Sequence, residues 1–166
     1  MKHILFLLIA FAFSVQIYSV ELRGKVMSVS DGDTLTLKTE DSKFKIRLSD
    51  IDAPEKKQSG GEDAKSFLKK IAEGRQVIIN YNSLDRYKRV IGTIYIEDVN
   101  INLVMVCAGH AWHYKKFSKN EVFATAEVAA RSAEIGLWAE ENPVPPWEYR
   151  KSLKKVQHKS PDNHSR

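Results

Sequence analysis

The chain has 166 residues and a formal net charge of +5, and its one cysteine, Cys107, excludes an intrachain disulfide. The charge is unevenly placed: from Arg150 onward six Lys or Arg face only Asp162, while residues 20–149 carry 19 basic and 20 acidic side chains. Net charge therefore says little about the partner of the folded body, and the length past residue 19 suffices for one core without staples.

The first residues, "MKHILFLLIAFAFSVQIYS", combine Lys2, an apolar run from Ile4 to Phe13 and small or polar residues ending near Ser19. That pattern predicts a secretory signal peptide over 1–19. The apolar run is about half of the roughly 20 residues that a membrane-spanning helix needs, so a secreted or periplasmic protein without stable membrane association is expected.

The body is expected over 20–149. Residues 22–29, 34–38 and 43–48 alternate or are rich in β-formers, and "SDGD" and "TEDS" between them are turn chemistry, which predicts a three-stranded meander. Residues 62–74 place Ala64, Phe67, Leu68 and Ile71 at helical spacing, with acids in the first turn and Gly74 as a stop. Two more strands follow, over 76–82 and 89–96, joined by the charged "SLDRYK". A second helix is predicted over 103–108 with Asn102 as its N-cap, and "LVMVCAGHA" suggests that Cys107 is buried there.

A third helix, over 119–135, offers Val122, Ala126, Ala129, Ala130 and Ala133 as a packing face. The prolines of "NPVPPWEYRK" then close the domain, and residues 150–166, basic and poor in apolar side chains, read as a disordered tail. Five short strands with a helix after the third predict an α+β fold: a five-stranded OB-type β-barrel with three α-helices.

Two acidic clusters, "DGDT" and "DIDAPE", fall at strand ends that are neighbours in an antiparallel hairpin. Asp33 and Asp52 then face one another, an arrangement costly without a cation between them. Oxygen ligands with no nearby Cys or His favour Ca²⁺ or Mg²⁺ over zinc, although "DGD" is equally ordinary turn chemistry. Arg47 lies close to the acidic end of its strand, and Arg89 begins the fifth strand. Two guanidinium forks near a hard metal suit phosphoryl chemistry, with Glu55 free to take a proton from water.

"DGDT", "IRLSDIDAPE", "DRYKR", "AGHAW" and "GLW", in that order, resemble the staphylococcal nuclease (thermonuclease) family over roughly residues 22–142. The resemblance implies a Ca²⁺-dependent endonuclease, expected as a monomer, that cleaves DNA and RNA with low sequence specificity and leaves 3′-phosphate ends. It also implies that Asp33, Asp52 and the main-chain carbonyl of Ala53 hold Ca²⁺, that Glu55 is the general base, and that Arg47 and Arg89 hold the phosphate. Tyr87 resembles a tyrosine that contacts a nucleotide's terminal phosphate. Lys88 stands where family members usually carry glycine, in the turn that aims Arg89. Trp112, His113, Tyr114 and Lys115 are offered either as base-stacking and phosphate groups or as packing. The alternative to an enzyme is a non-catalytic nucleic-acid-binding module of the same fold.

Overall fold

A computed structural model describes residues 20–159. The expected signal peptide over 1–19 and the last seven residues of the expected tail lie outside the described residues. The chain runs through strands β1 (Val20–Asp31), β2 (Thr34–Lys38), β3 (Lys43–Leu48) and β4 (Ile51–Asp52), helix α1 (Gly61–Ala72), then β5 (Gln76–Leu84), β6 (Val90–Ile96) and β7 (Val99–Asn100). Helix α2 (Ile101–Cys107), strand β8 (Trp112–His113), helix α3 (Glu121–Ser132), a 3₁₀ turn (Gly136–Ala139) and helix α4 (Pro146–Lys159) complete it.

The five principal strands close into a barrel in the order β3-β2-β1-β5-β6, sealed by a parallel pairing of β3 with β6 that sets Arg47 opposite Ile91. Strand β1 serves two neighbours: Val20–Lys25 pair with β5, and Lys25–Asp31 pair with β2 through two register shifts. The corner needs Gly24, because a Cβ there would run into the Lys38 carbonyl. Closure leaves few free backbone edges, and the inward side chains meet as one core.

That core contains Val26, Leu35, Leu37, Ile46, Leu48, Ile79 and Ile94 from the barrel, packed against Ala64 and Leu68 of α1 and Met105 of α2. Leu68 is fully buried. Leu68→Ala is expected to cost about 2–5 kcal/mol through lost transfer energy and an unfilled cavity, measured as a drop in the urea midpoint.

The five main strands and the first three helices fall where the periodicities predict them, and the α+β barrel stands. Four helices form rather than three. Asn100, not Asn102, caps α2: its side chain accepts from the Leu103 amide. Asn102 is buried and cross-links the fold, donating to the Ser49 (3.0 Å) and Gly92 (3.1 Å) carbonyls and accepting from the Ile94 amide. Those bonds fasten the loop that follows β3. Cys107 is exposed, since it lies on the side of α2 away from Met105 and Val106.

The buried residues of α3 are Phe123, Glu127 and Ala130, while Val122, Ala129 and Ala133 face solvent. Ion pairing places Glu127 inside, and a charged residue in the buried stripe conceals it from a reading of apolar periodicity. The prolines at 145 and 146 open α4 rather than end structure: Pro146 occupies the first helical position, where a missing N–H costs nothing, and Glu148 complements the helix dipole. The expectation of a disordered tail from residue 150 is thereby corrected as far as Lys159. None of the described helices is long and apolar enough to cross a membrane.

Candidate active site

The site lies where the β1–β2 turn meets the loop after β3. The Leu48 amide donates to the Asp33 carbonyl (2.8 Å), joining the two segments, and β4 pairs with β8 so that Asp52 sits opposite Trp112. Both carboxylates are buried, with side chains 10% and 2% exposed for Asp33 and Asp52. Arg47 stands between them: its Nη2 is 3.0 Å from Asp33 Oδ2 and 2.9 Å from Asp52 Oδ1. Its Nη1 donates to the Leu48 (2.6 Å) and Ile51 (3.0 Å) carbonyls, which locks the fork in place.

Asp33 is held further by the Ala53 amide (2.9 Å to Oδ2) and the Thr34 hydroxyl (3.0 Å to Oδ1). Ala53 is therefore drawn against Asp33 as well as following Asp52. Glu55 lies past Pro54 with its side chain 43% exposed. Asp33, Arg47, Asp52, Ala53 and Glu55 thus converge on one side of the barrel.

A further group joins them that sequence reasoning assigned to the tail. Arg150 of α4 places Nη2 2.7 Å from Asp52 Oδ2 and Nη1 2.8 Å from Glu55 Oε1. No local pattern signals this contact, which spans 98 residues of chain. The one hint is the aromatic pair around "WEYR", two anchors too large to leave in solvent.

Arg89 and Tyr87 are elsewhere. They belong to the β5–β6 turn, where the Asp85 carboxylate accepts from the Tyr87 amide (2.8 Å), the Arg89 amide (2.9 Å) and Arg89 Nε (2.7 Å). Lys88 holds φ 62°, the left-handed conformation for which glycine is favoured, so the glycine-type turn persists without glycine. Against some desolvation, the hydrogen bonds from Arg89 and Tyr87 keep the Asp85 carboxyl below its usual range. Neither Arg89 nor Tyr87 bonds to the Asp33–Asp52 cluster among the described residues.

The sequence profile of the staphylococcal nuclease homologue family matches residues 45–140, a span that holds Arg47, Asp52, Ala53, Glu55, Tyr87 and Arg89.

The chain belongs to the staphylococcal nuclease homologue family.

Relatives agree with that placement. A protein of Escherichia coli named an uncharacterized endonuclease is 38% identical over 144 residues, covering 86% of this chain and 94% of its own. Another uncharacterized endonuclease, from Haemophilus influenzae, is 40% identical over 131 residues, covering 78% of this chain and 74% of its own. A staphylococcal-like nuclease of Arabidopsis thaliana is 43% identical over 110 residues, 66% of this chain and 34% of the plant protein. Asp33 and Arg150 lie outside the span of the family profile.

In this staphylococcal nuclease homologue Asp31 and Asp52 are held against ionisation. Burial, with the Asp33 charge beside it, pushes the Asp31 carboxyl up to about 6. Burial also raises Asp52, while the Arg150 hydrogen bonds and the Arg47 charge pull it back. Asp50 has a structural role. At φ 65° it accepts from the Ser49 and Ser118 hydroxyls, both at 2.7 Å, tying the loop after β3 to the segment before α3.

Behind the site, Trp112 and His113 are packed inside. The Trp112 ring meets Trp138 edge-on at 4.5 Å, and the Arg131 guanidinium lies 3.8 Å over Trp138 while bonding buried Glu127 (2.6 and 2.9 Å). Tyr114 remains partly open and stacks on Trp147, with centroids 5.5 Å apart and planes 8° from parallel.

Burial lowers both His113 and His110 below 6.5; Lys115 reinforces the shift at His113, Glu127, Asp50 and Glu121 oppose it there, and Asp63 opposes it at His110. A histidine harder to protonate when folded contributes stability above about 6.5, and that contribution is lost as pH falls from there through the lower folded value. Asp31 carries the opposite sign, its contribution falling as pH rises from 3.8 through about 6. The histidine share is therefore read as a difference: between pH 7 and 5, the urea midpoint of His113→Phe is expected to fall less than that of the parent.

Proposed function

We propose that this chain is a secreted or periplasmic, Ca²⁺-dependent nuclease that hydrolyses phosphodiester bonds of DNA and RNA with low sequence specificity and leaves 3′-phosphate ends. The observation that carries the reading is the convergence of Asp33 and Asp52 on the locked Arg47 fork with Glu55 beside them. A barrel core has no use for two buried carboxylates sharing one guanidinium nitrogen, whereas phosphoryl transfer needs both signs of charge at one point.

The donor set fits a hard divalent cation. Asp33 and Asp52 offer buried carboxylate oxygens, Ala53 would add the main-chain carbonyl next in sequence to Asp52, and water would complete the shell. Among the described residues no group of three or more His, Cys, Asp or Glu comes together as a metal cage. When bound, Ca²⁺ would supply positive charge to the phosphate oxygens and acidify water.

The chain's own groups do the rest. Arg47 neutralises a phosphoryl oxygen with a fork that two backbone carbonyls hold rigid, so little reorganisation is needed as charge develops. Glu55 takes a proton from the attacking water, for which its partial exposure suits it. Attack forms the new P–O bond, the bond to the 5′ oxygen breaks, and phosphate stays on the 3′ side. Arg89, at the barrel seam, is the second phosphate ligand, and Tyr87 contacts a terminal phosphate. A cleft of about 480 Å³ lined by Tyr114, Lys115, Arg131, Trp147 and Lys151 takes a base and its flanking phosphate. The chain acts as a monomer.

The product test is end-group analysis of a digested oligonucleotide. Fragments with 5′-hydroxyl and 3′-phosphate ends support the reading, and fragments with 5′-phosphate ends overturn the proposed bond cleavage.

A further inference from the structure

Both oxygens of the Asp52 carboxylate are taken by guanidinium groups. Oδ1 faces Arg47 Nη2 at 2.9 Å and Arg150 Nη1 at 3.3 Å, and Oδ2 faces Arg150 Nη2 at 2.7 Å. The same Arg150 Nη1 bonds Glu55 Oε1 at 2.8 Å. Arg150 thus bridges the carboxylate expected to hold the metal and the carboxylate expected to activate water.

This bridge is built rather than incidental. The start of α4 is fastened just ahead of Arg150: Trp147 stacks on Tyr114, and the Tyr149 hydroxyl donates to the Lys57 carbonyl at 3.3 Å. Upstream, Gln58 Nε2 donates to the Val144 carbonyl at 2.6 Å, tying the loop after Glu55 to the approach of α4. Three anchors converge to bring one arginine to one buried carboxylate. Although its own burial pulls the other way, hydrogen bonds to Asp52 and Glu55 hold Arg150 charged above its ordinary range.

A guanidinium has donors and no lone pair, so it cannot share an oxygen with a cation that approaches along the same direction. Two like charges drawn to one carboxylate also repel. We propose that Arg150 is an internal counter-cation that competes with the divalent cation for Asp52 and so sets the metal affinity of the site. This inference rests on the metal reading above. It concerns a residue of α4, beyond residue 140, where the family match ends.

Linkage makes the competition measurable without catalysis. If Arg150 and the cation exclude one another at Asp52, removing the guanidinium strengthens cation binding by the coupling factor, ordinarily about 5- to 150-fold. Lysine tests the fork separately: a single ammonium cannot span both Asp52 oxygens and Glu55, so it competes less well.

The experiment is calorimetric titration of CaCl₂ into the purified protein, its Arg150→Met and Arg150→Lys variants, and Asp33→Asn, with circular dichroism confirming that each is folded. The dissociation constant is expected to fall about 5-fold or more in Arg150→Met and by a smaller factor in Arg150→Lys, and binding is expected to be lost in Asp33→Asn. Unchanged or weaker binding in folded Arg150→Met overturns the competition while leaving the metal reading intact. Should Arg150→Met not fold, Arg150→Lys decides alone: tighter binding supports the proposal, and equal or weaker binding overturns it. Absence of Ca²⁺ binding in the parent and every variant, or binding that Asp33→Asn leaves untouched, overturns the metal reading and the competition together.

Discussion

Arg47→Met is expected to lower the rate of DNA hydrolysis by about 10² to 10³, the ordinary cost of losing one preorganised electrostatic contact to a developing charge. The same substitution is expected to lower stability by about 3–5 kcal/mol in the absence of Ca²⁺, because it removes one partner from a buried ionic cluster. The Asp33 side chain is 10% exposed, and Arg47 Nη2 is its ion-pair partner; Asp52 keeps Arg150. Asp33 then faces Asp52 with less compensation than before. Methionine retains most of the apolar stem, so the effect reports the charge rather than a void. Turnover by fluorescent DNA cleavage and the urea midpoint, each with and without Ca²⁺, check the two parts. Added Ca²⁺ is expected to recover part of the stability and little of the rate, since an ion can replace Arg47 as a counter-charge to the carboxylates but not as a ligand to phosphate.

Glu55→Gln separates chemistry from folding. A positioned general base contributes about 10² to 10⁴ in rate, and the amide has the same shape without the basic lone pair. Its cost to the fold is expected to be small. The Glu55 side chain is 43% exposed, and Arg150, its one ion-pair partner among the described residues, keeps Asp52 when Glu55 is neutralised. The expected signature is therefore a fall of at least about 10² in kcat with KM and the thermal midpoint nearly unchanged. A parallel loss of stability and rate would indicate instead that Glu55 mainly holds α4 against the barrel.

The strands and their turns were legible because each main strand announces itself locally, by alternation and by punctuation such as "DGD" and "TEDS". The same locality made the nearness of Asp33 and Asp52 readable: Asp33 immediately precedes β2, Asp52 follows β3 after a short loop, and Thr34 pairs with Arg47 across the hairpin. Between the two carboxylates the structure sets the Arg47 guanidinium, a cation of the chain itself. Where the sequence misled, the deciding interaction was distant along the chain. Asn102 looked like a cap because it precedes an apolar run, yet its amide serves Ser49, 53 residues away. Glu127 lies inside because Arg131 pairs with it there, a charge that apolar periodicity does not register. Arg150 looked like part of a loose basic tail because helix α4 draws its order from Trp147 and Tyr149 docking on the body, a tertiary contact that composition does not encode.

Arg89 illustrates a different limit. Its type and spacing match the second phosphate-binding arginine implied by the resemblance, and Lys88 accepts the left-handed turn that aims it. Its guanidinium nevertheless pairs with Asp85 at 2.7 Å, so binding phosphate means exchanging that carboxylate for the substrate.

The most direct test of Ca²⁺-dependent cleavage at the Asp33–Asp52 cluster is hydrolysis of DNA by the purified protein in Ca²⁺ and in a chelator, with Asp52→Asn alongside. Cleavage is expected in Ca²⁺, with loss on chelation that is reversed when Ca²⁺ is restored, and little or no cleavage is expected from Asp52→Asn under either condition. Equal cleavage with and without the chelator, undiminished in Asp52→Asn, would contradict the proposed chemistry.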